Sequence, residues 1–409
     1  MNALHNLVTL PDKVRARKGI EHTPAEIEAQ PRLWGENFKM LEKRREEILS
    51  FLDERTFSKE NPRVVLAGAG SSAYIGLSVQ NLLRHRWQLD VDARPTTDIV
   101  THWSSVLLRD ADYTLISFSR SGNSPESIGA FFLAERFCPR ISHIIVTCNK
   151  GGKLAELGER KNNALLLLLS EGTNDKGLAM TASFTTMLMA AQFLAHAKDL
   201  QTYKPVVKDL SEATKLLFEN HSDLTKEIAE SNFERAIFLG SGCLYGCAVE
   251  SSLKLQEMTS GRIICKADTF LGVRHGPEVV IDEKTLVVYL LSTNPFTRRY
   301  ELDLANNIEA KDLGMKKVAL CDKADREIEG CVDHAIEFNR DGIFSIPDFH
   351  RPAMDVTIGQ LIGLFKSLDL GLKPDNPSEK GVITRVVKGV SIYDDKAFER
   401  DGKFGTIAS

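Results

Sequence analysis

Several absences bound what this chain can be. No run approaches the ~18 consecutive apolar residues that a membrane-spanning helix needs, and Met1 to Arg15 lacks a basic flank followed by an apolar run and a small-residue cleavage site. A soluble protein that stays in the cytoplasm, with no membrane partner, is expected. A large excess of either charge is lacking: 52 Lys and Arg face 56 Asp and Glu, a net charge of -4, with no long basic block. Nothing draws such a surface to a phosphate backbone, so nucleic acid is excluded as an expected partner. Paired cysteines are missing too. There are seven, irregularly spaced, and none stands with histidine at a zinc-like interval, which argues against a disulfide framework and fits a reducing compartment. Cys243 and Cys247 admit a metal or redox pair, against which stands the reading of buried structural thiols.

What is present is enough apolar residue, 43% of 409, for two ordinary cores. Residues 1–60 read as an arm of one or two helices, with Leu41, Ile48 and Leu52 on an apolar face beside charged Arg44 to Glu47. From Arg63 short β-branched or leucine runs begin: Val64 to Leu66, Thr114 to Ser117, Ile144 to Thr147 and Leu165 to Leu169. Stretches with helical spacing separate them, and Leu178 to Leu194 closes the series as a buried helix. Near-continuous apolar strands alternating with helices predict a parallel sheet covered on both faces. The series then restarts, with strands at Ala236 to Leu239, Arg262 to Cys265, Leu286 to Leu291, Lys317 to Cys321 and Ala335 to Phe338, and a helix from about Pro352 to Leu370. The expected fold is α/β, with two tandem doubly wound parallel-sheet domains over 61–205 and 206–380 and a tail at 381–409.

The repeat is visible in residues as well as in periodicity. Val65-Leu66-Ala67-Gly68-Ala69-Gly70-Ser71 resembles Phe238-Leu239-Gly240-Ser241-Gly242: each is a strand, a glycine turn and a helix start. Such a turn lets backbone N–H groups approach an anion. Gly68, Gly70 and Ala73 also satisfy a loose dinucleotide pattern with Asp90 and Asp92 downstream, but the second turn has no third small residue in register. The next crossover is sharper: Phe118-Ser119-Arg120-Ser121-Gly122-Asn123-Ser124-Pro125-Glu126. Ser124 suits an N-cap, Pro125 the first helical position, and Gly122 the positive φ that lets N–H groups converge. Hydroxyls, backbone donors and the charge of Arg120 together suit a phosphomonoester. An N-capped turn that binds nothing is the competing reading. With Ser71 and Ser72, these hydroxyls are placed at the carboxyl edge of a parallel sheet, where such folds bind ligands.

In the second half, Glu250, Lys254 and Glu257 fall at i, i+4 and i+7 and share one helix face, which is either a solvated ion-pair stripe or a site. Downstream, Arg274-His275-Gly276-Pro277 puts a histidine in a loop that presents side chains, a candidate acid or base.

These segments, with Leu253-Lys254-Leu255-Gln256-Glu257, resemble the sugar isomerase (SIS) family over nearly the whole chain, in a layout similar to the isomerase half of glucosamine-6-phosphate synthase. The resemblance, strengthened by Gly177-Leu178-Ala179-Met180-Thr181 and Thr384-Arg385-Val386-Val387, implies two flavodoxin-like domains and an amino-sugar phosphate deaminase/isomerase, turning galactosamine 6-phosphate into tagatose 6-phosphate and ammonia. It further implies that Ser119, Arg120, Ser121 and Ser124 hold the phosphate. Ser71, Ser72, Thr181 and Lys388 would contact the sugar, Glu257 would be the base and His275 would open the ring, with Lys254 beside the base. His275 would reach a neighbouring subunit's pocket, making a homodimer or higher homo-oligomer with shared sites whose tail closes the active site. Proton transfer of this kind needs no metal and no cofactor. Isomerisation without deamination, and a non-catalytic sugar-phosphate sensor, are the rival readings. Arg120, Ser124 and Met180 depart from the synthase's Gln, Thr and Ser.

Overall fold

The computed structural model describes residues 2–108, 110–378, 380–387, 389–394 and 405–408. Two five-stranded parallel sheets carry the fold. The first is built from β1 (Pro62–Gly68), β2 (Asp90–Pro95), β3 (Asp112–Ser119), β4 (Ser142–Thr147) and β5 (Ala164–Leu168), in the order β2-β1-β3-β4-β5. The second contains β6 (Arg235–Gly240), β7 (Ile264–Asp268), β8 (Thr285–Leu290), β9 (Lys316–Cys321) and β10 (His334–Glu337), in the order β10-β9-β8-β6-β7. Read from β7, that is the same order, 2-1-3-4-5, so the second half repeats the topology of the first. The expected strands are present, and the one expected at Arg262 to Cys265 starts two residues later as β7. One strand was not expected. Its sequence, Asp90-Val91-Asp92-Ala93-Arg94-Pro95, is polar because β2 is an edge strand that buries only Val91 fully.

Helices cover both faces. The N-terminal residues form α1 (Ala3–Val8), α2 (Asp12–Lys18), α3 (Thr23–Lys43) and α4 (Arg45–Leu52), four helices where one or two were expected. The first repeat adds α5 (Ser71–Trp87), α6 (Thr96–Val106), α7 (Pro125–Phe137), α8 (Lys153–Arg160) and α9 (Ala182–His196). Every residue of α9 is buried, as its unbroken apolar sequence requires. A long helix, α10 (Leu200–Glu230), leads on, so the line drawn at 205 falls inside a continuous helix. The second repeat holds α11 (Cys243–Met258), α12 (Phe270–Val273), α13 (Pro295–Ala310), α14 (Arg326–Glu329) and α15 (Pro352–Asp369). Among the described residues no helix is long and apolar enough to cross a membrane.

The N-terminal segment is part of the core. Ile27, Trp34 and Phe38 of α3 join one hydrophobic cluster with Leu66 and Ile116 of the first sheet and Phe238 and Leu286 of the second. Gln30 donates to Gln360 of α15 at 2.7 Å, and the Trp34 indole donates to Thr185 of α9 at 3.0 Å. The two repeats meet through equivalent helices, α5 on α11 and α9 on α15. The α5–α11 approach depends on Gly246: a Cβ there would sit 2.4 Å from the Ser78 hydroxyl and 2.5 Å from the Ser78 nitrogen. Backbone cannot yield as a flexible side chain can. Gly246→Ala is therefore expected to destabilise the protein by about 1–3 kcal/mol in urea denaturation, the usual cost of overpacking. Gly35→Ala, with no neighbour within 4 Å of its Cβ on helix α3, is expected to be neutral or stabilising by under ~1 kcal/mol.

Candidate active site

The two glycine turns are the same backbone structure. Gly70 (φ 56°, ψ -130°) precedes α5 as Gly242 (φ 58°, ψ -121°) precedes α11. Gly68 and Gly240 lie two residues earlier, and a Cβ on either would sit 2.4 Å from the carbonyl of the following helix's first turn. That close contact accounts for the first glycine of the loose dinucleotide pattern. Of the two acids that pattern would use, Asp92 is paired with Arg94 at 2.7 Å and Asp90 stands 3.8 Å from Arg84.

At the carboxyl edge of the first sheet is a cavity of about 350 Å³. Ser71 and Ser72 enter it from the start of α5, Ser119, Arg120, Ser121 and Ser124 from the loop after β3, and Glu257 from the last turn of α11. Residues 382–387 cross its mouth. The loop holds its shape internally. The Ser119 hydroxyl accepts from Gly122 N at 3.1 Å, the Ser121 hydroxyl accepts from Asn123 N at 3.2 Å, and Gly122 takes φ 66°. Ser124 occupies the N-cap position of α7, but its hydroxyl donates to Ser127 at 2.8 Å, which corrects the capping role expected for it.

Arg120 is 5% exposed. Its guanidinium donates to the carbonyls of Gly177 (3.3 Å), Leu178 (3.1 Å) and Arg385 (2.7 Å). Arg385 in turn donates to the Asp175 carbonyl and to the Asn174 side chain. Both cations are thus held by carbonyl and amide oxygens, which among the described residues leaves their charge uncompensated by an ion pair, and both line the cavity. Burial pushes the Arg120 guanidinium below its ordinary value, and the nearby Arg385 adds to this while Asp175 opposes it. Such a place favours an anion.

The polar stripe on α11 is buried, which decides between the two readings of its spacing. Glu250 and Lys254 are 0% exposed, and the Glu257 side chain is 24% exposed toward the cavity. Lys254 Nζ donates to Glu257 Oε2 at 2.6 Å and to the Ser71 hydroxyl at 2.9 Å, and stands 3.2 Å from Glu250 Oε1. The ammonium therefore joins the second repeat's helix to the first repeat's turn. Burial opposes its charge, but Glu250 and Glu257 outweigh that and raise its pKa. Burial pushes the Glu250 carboxyl up to about 7, with Lys254 opposing and Glu257 adding to the rise.

Other expected site residues fall elsewhere. Thr181 does not line the cavity: it is fully buried, and its hydroxyl donates to Asp175 Oδ1 at 3.0 Å as part of the cap of α9, while its neighbour Met180 lines the cavity. His275 is exposed on the loop after α12, at Gly276 with φ 116°, and is not among the cavity's lining residues. Lys388 lies outside the described residues. Cys243 and Cys247 are buried thiols, Cys243 pushed up to about 12 and Cys247 well above its ordinary value, both by burial. Two lining residues carried no sequence signal for a role, Glu126 on the first turn of α7 and Arg385 in the tail.

A doubled flavodoxin-like fold with a serine-rich turn and a buried arginine at one sheet edge defines a class of sugar-phosphate proteins, and the comparisons agree. A family model described as SIS domain matches residues 56–197. The Escherichia coli D-galactosamine-6-phosphate deaminase AgaS is 35% identical, over 91% of this chain and 95% of that protein. The crystal structure of tagatose-6-phosphate ketose/aldose isomerase from Escherichia coli aligns with a TM-score of 0.81 and 34% identity, covering 88% of this chain and 95% of that one. A solved structure from Clostridium novyi NT aligns with a TM-score of 0.91 and 39% identity, covering 95% and 98%. The chain belongs to the SIS family.

The buried stack yields a stability prediction. Because its folded pKa is raised from 4.5 to about 7, Glu250 contributes stability that is fully present below pH 4.5 and lost as pH rises through 7. Lys254→Met leaves the fully buried Glu250 and the partly exposed Glu257 without the cation that both contact. It is expected to cost about 3–5 kcal/mol at pH 8 and much less at pH 5, where Glu250 takes up a proton. Urea denaturation of both proteins at the two pH values checks this.

Proposed function

We propose that the chain converts D-galactosamine 6-phosphate and water to D-tagatose 6-phosphate and ammonia. The observation that carries this reading is Glu257, a carboxylate that faces the cavity while bonded at 2.6 Å to a fully buried ammonium, with the serine loop and Arg120 lining the same space. The names of relatives about 35% identical over most of the chain support the substrate. The phosphate sits against Ser119, Arg120, Ser121 and Ser124, where hydroxyl donors and a guanidinium compensate its charge. Ser71 and Ser72 face the sugar, with Lys388 of the tail as a further contact. Once the ring is open, C1 is an aldehyde and the C2 proton is acidic. Glu257 takes that proton and returns it to C1 as O1 is protonated, leaving a ketimine at C2. Water adds to the ketimine carbon, and the C2–N bond breaks to release ammonia and the ketose phosphate. Lys254 keeps Glu257 oriented through the hydrogen bond it donates to Oε2.

His275 opens the ring, and it does so in the cavity of a second copy, in keeping with its exposure in its own chain, whose cavity it does not line. The working form is a homodimer or higher homo-oligomer with shared sites, in the cytoplasm, a compartment with which free thiols are in keeping. Isomerisation without deamination is the reading that the name of the Escherichia coli ketose/aldose isomerase favours, and ammonia release from galactosamine 6-phosphate decides between the two.

Two predictions separate the roles. Glu257→Gln keeps size and hydrogen-bonding reach but loses basicity, so turnover is expected to fall by about 100-fold to 10,000-fold, and deuterium exchange at C2 by NMR to disappear, while sugar phosphate still binds. His275→Ala is expected to lose turnover of the cyclic sugar but to keep C2 exchange in the open fraction. Persistent exchange in Glu257→Gln moves the base to another residue. Second, co-refolding Glu257→Gln with His275→Ala chains is expected to restore activity, because a heterodimer holds one site with both native residues. Heterodimers seen by sedimentation without activity would overturn the shared site.

A further inference from the structure

The second repeat has its own version of the serine loop. β8 holds the place in its sheet that β3 holds in the other, and it runs through Ser292-Thr293-Asn294-Pro295 into α13 as β3 runs through Ser124-Pro125 into α7. Here the space at the loop is filled. Asp348, from the connection between β10 and α15, places its carboxylate on it. Oδ1 accepts from Thr293 N (2.9 Å), the Thr293 hydroxyl (2.8 Å) and Arg351 (3.0 Å), and Oδ2 accepts from the Ser292 hydroxyl. Two hydroxyls, a backbone N–H at a helix start and a guanidinium are the groups a tetrahedral oxyanion would engage. Burial opposes ionisation of Asp348, yet Arg351, Ser292 and Thr293 outweigh it and hold the carboxyl below its ordinary value. Glu301 of α13, fully buried, accepts from Ser292 N at 2.7 Å with Oε2, while its Oε1 makes no hydrogen bond. Burial pushes Glu301 above the usual carboxylate range, with the bond from Ser292 N opposing the rise. In the first repeat no carboxylate is bonded to residues 119–124 among the described residues.

We propose that Asp348 is an internal anion occupying the second repeat's phosphate-type loop, so that each chain takes one sugar phosphate, and that removing Asp348 opens the loop to a small tetrahedral oxyanion. The likeness to the first loop rests on the function proposed above, but the test reads the second loop separately. Inorganic phosphate is titrated calorimetrically into the full-length protein. The wild type is expected to bind one phosphate per chain and Asp348→Ala two. In a Ser119→Ala, Ser121→Ala background, Asp348→Ala is expected to bind one, and further Ser292→Ala to abolish it. A folded Asp348→Ala chain that binds no more phosphate than the wild type overturns the proposal. Should that variant fail to fold, refolding in phosphate has to restore it where chloride at equal ionic strength does not, and failure of phosphate to do so overturns the proposal equally. If the wild type binds none and Asp348→Ala one, the first loop has been misread while the second has not.

Discussion

One buried ammonium sets the geometry of this site. Lys254 belongs to the second repeat, yet one of its hydrogen bonds goes to Ser71 in the first, and its other neighbours are the carboxylates of Glu250 and Glu257. Taking a lysine and a glutamate wholly out of water is costly, and the cost is offset only when geometry is close and hydrogen bonds are satisfied. Helices α5 and α11 must therefore be close, and the absence of a Cβ at Gly246 is what lets them be. The placement of Glu257 beside the serine loop follows from that contact: a change that parts the two repeats would part the carboxylate from the loop that lines the same cavity.

The two ends of the chain converge on the same place. Asp375 accepts from the backbone nitrogens of His22 and Thr23, tying the C-terminal approach to the start of α3. Glu26, one turn further along, accepts from Lys176 and Gly177 N, in the loop whose carbonyls hold Arg120. Burial, helped by Asp175, pushes the Glu26 carboxyl up to about 7. Residues far apart in sequence thus position one guanidinium, and both the N-terminal helices and the tail support the cavity. The doubled fold is put to unequal use. The first repeat leaves its loop open beneath the tail, and the second fills its loop with Asp348 and Glu301.

Much of this was legible from residues alone, for reasons that are local. A parallel strand buried on both faces reads as a run of apolar residues, so four of the first sheet's strands and all five of the second were expected close to where they lie, while the polar edge strand β2 was missed because one-sided burial leaves no such run. The glycine turns and the Ser119–Ser124 loop were legible because steric constraints at positive φ act on one or two residues at a time.

The sequence by itself determined the doubled α/β fold, the serine loop and the shared face of Glu250, Lys254 and Glu257, since strand burial, turn sterics and helical spacing all operate within a few residues. Only the tertiary structure decided that this face is buried against Ser71, that Arg120 is gripped by carbonyls from residues 177, 178 and 385, that Thr181 turns from the cavity to Asp175, and that the second loop is occupied from within. Each of these depends on which distant segment supplies the partner. Spacing along the chain places a side chain on a face, but the desolvation and hydrogen bonds that give it a role come from what the fold packs against that face.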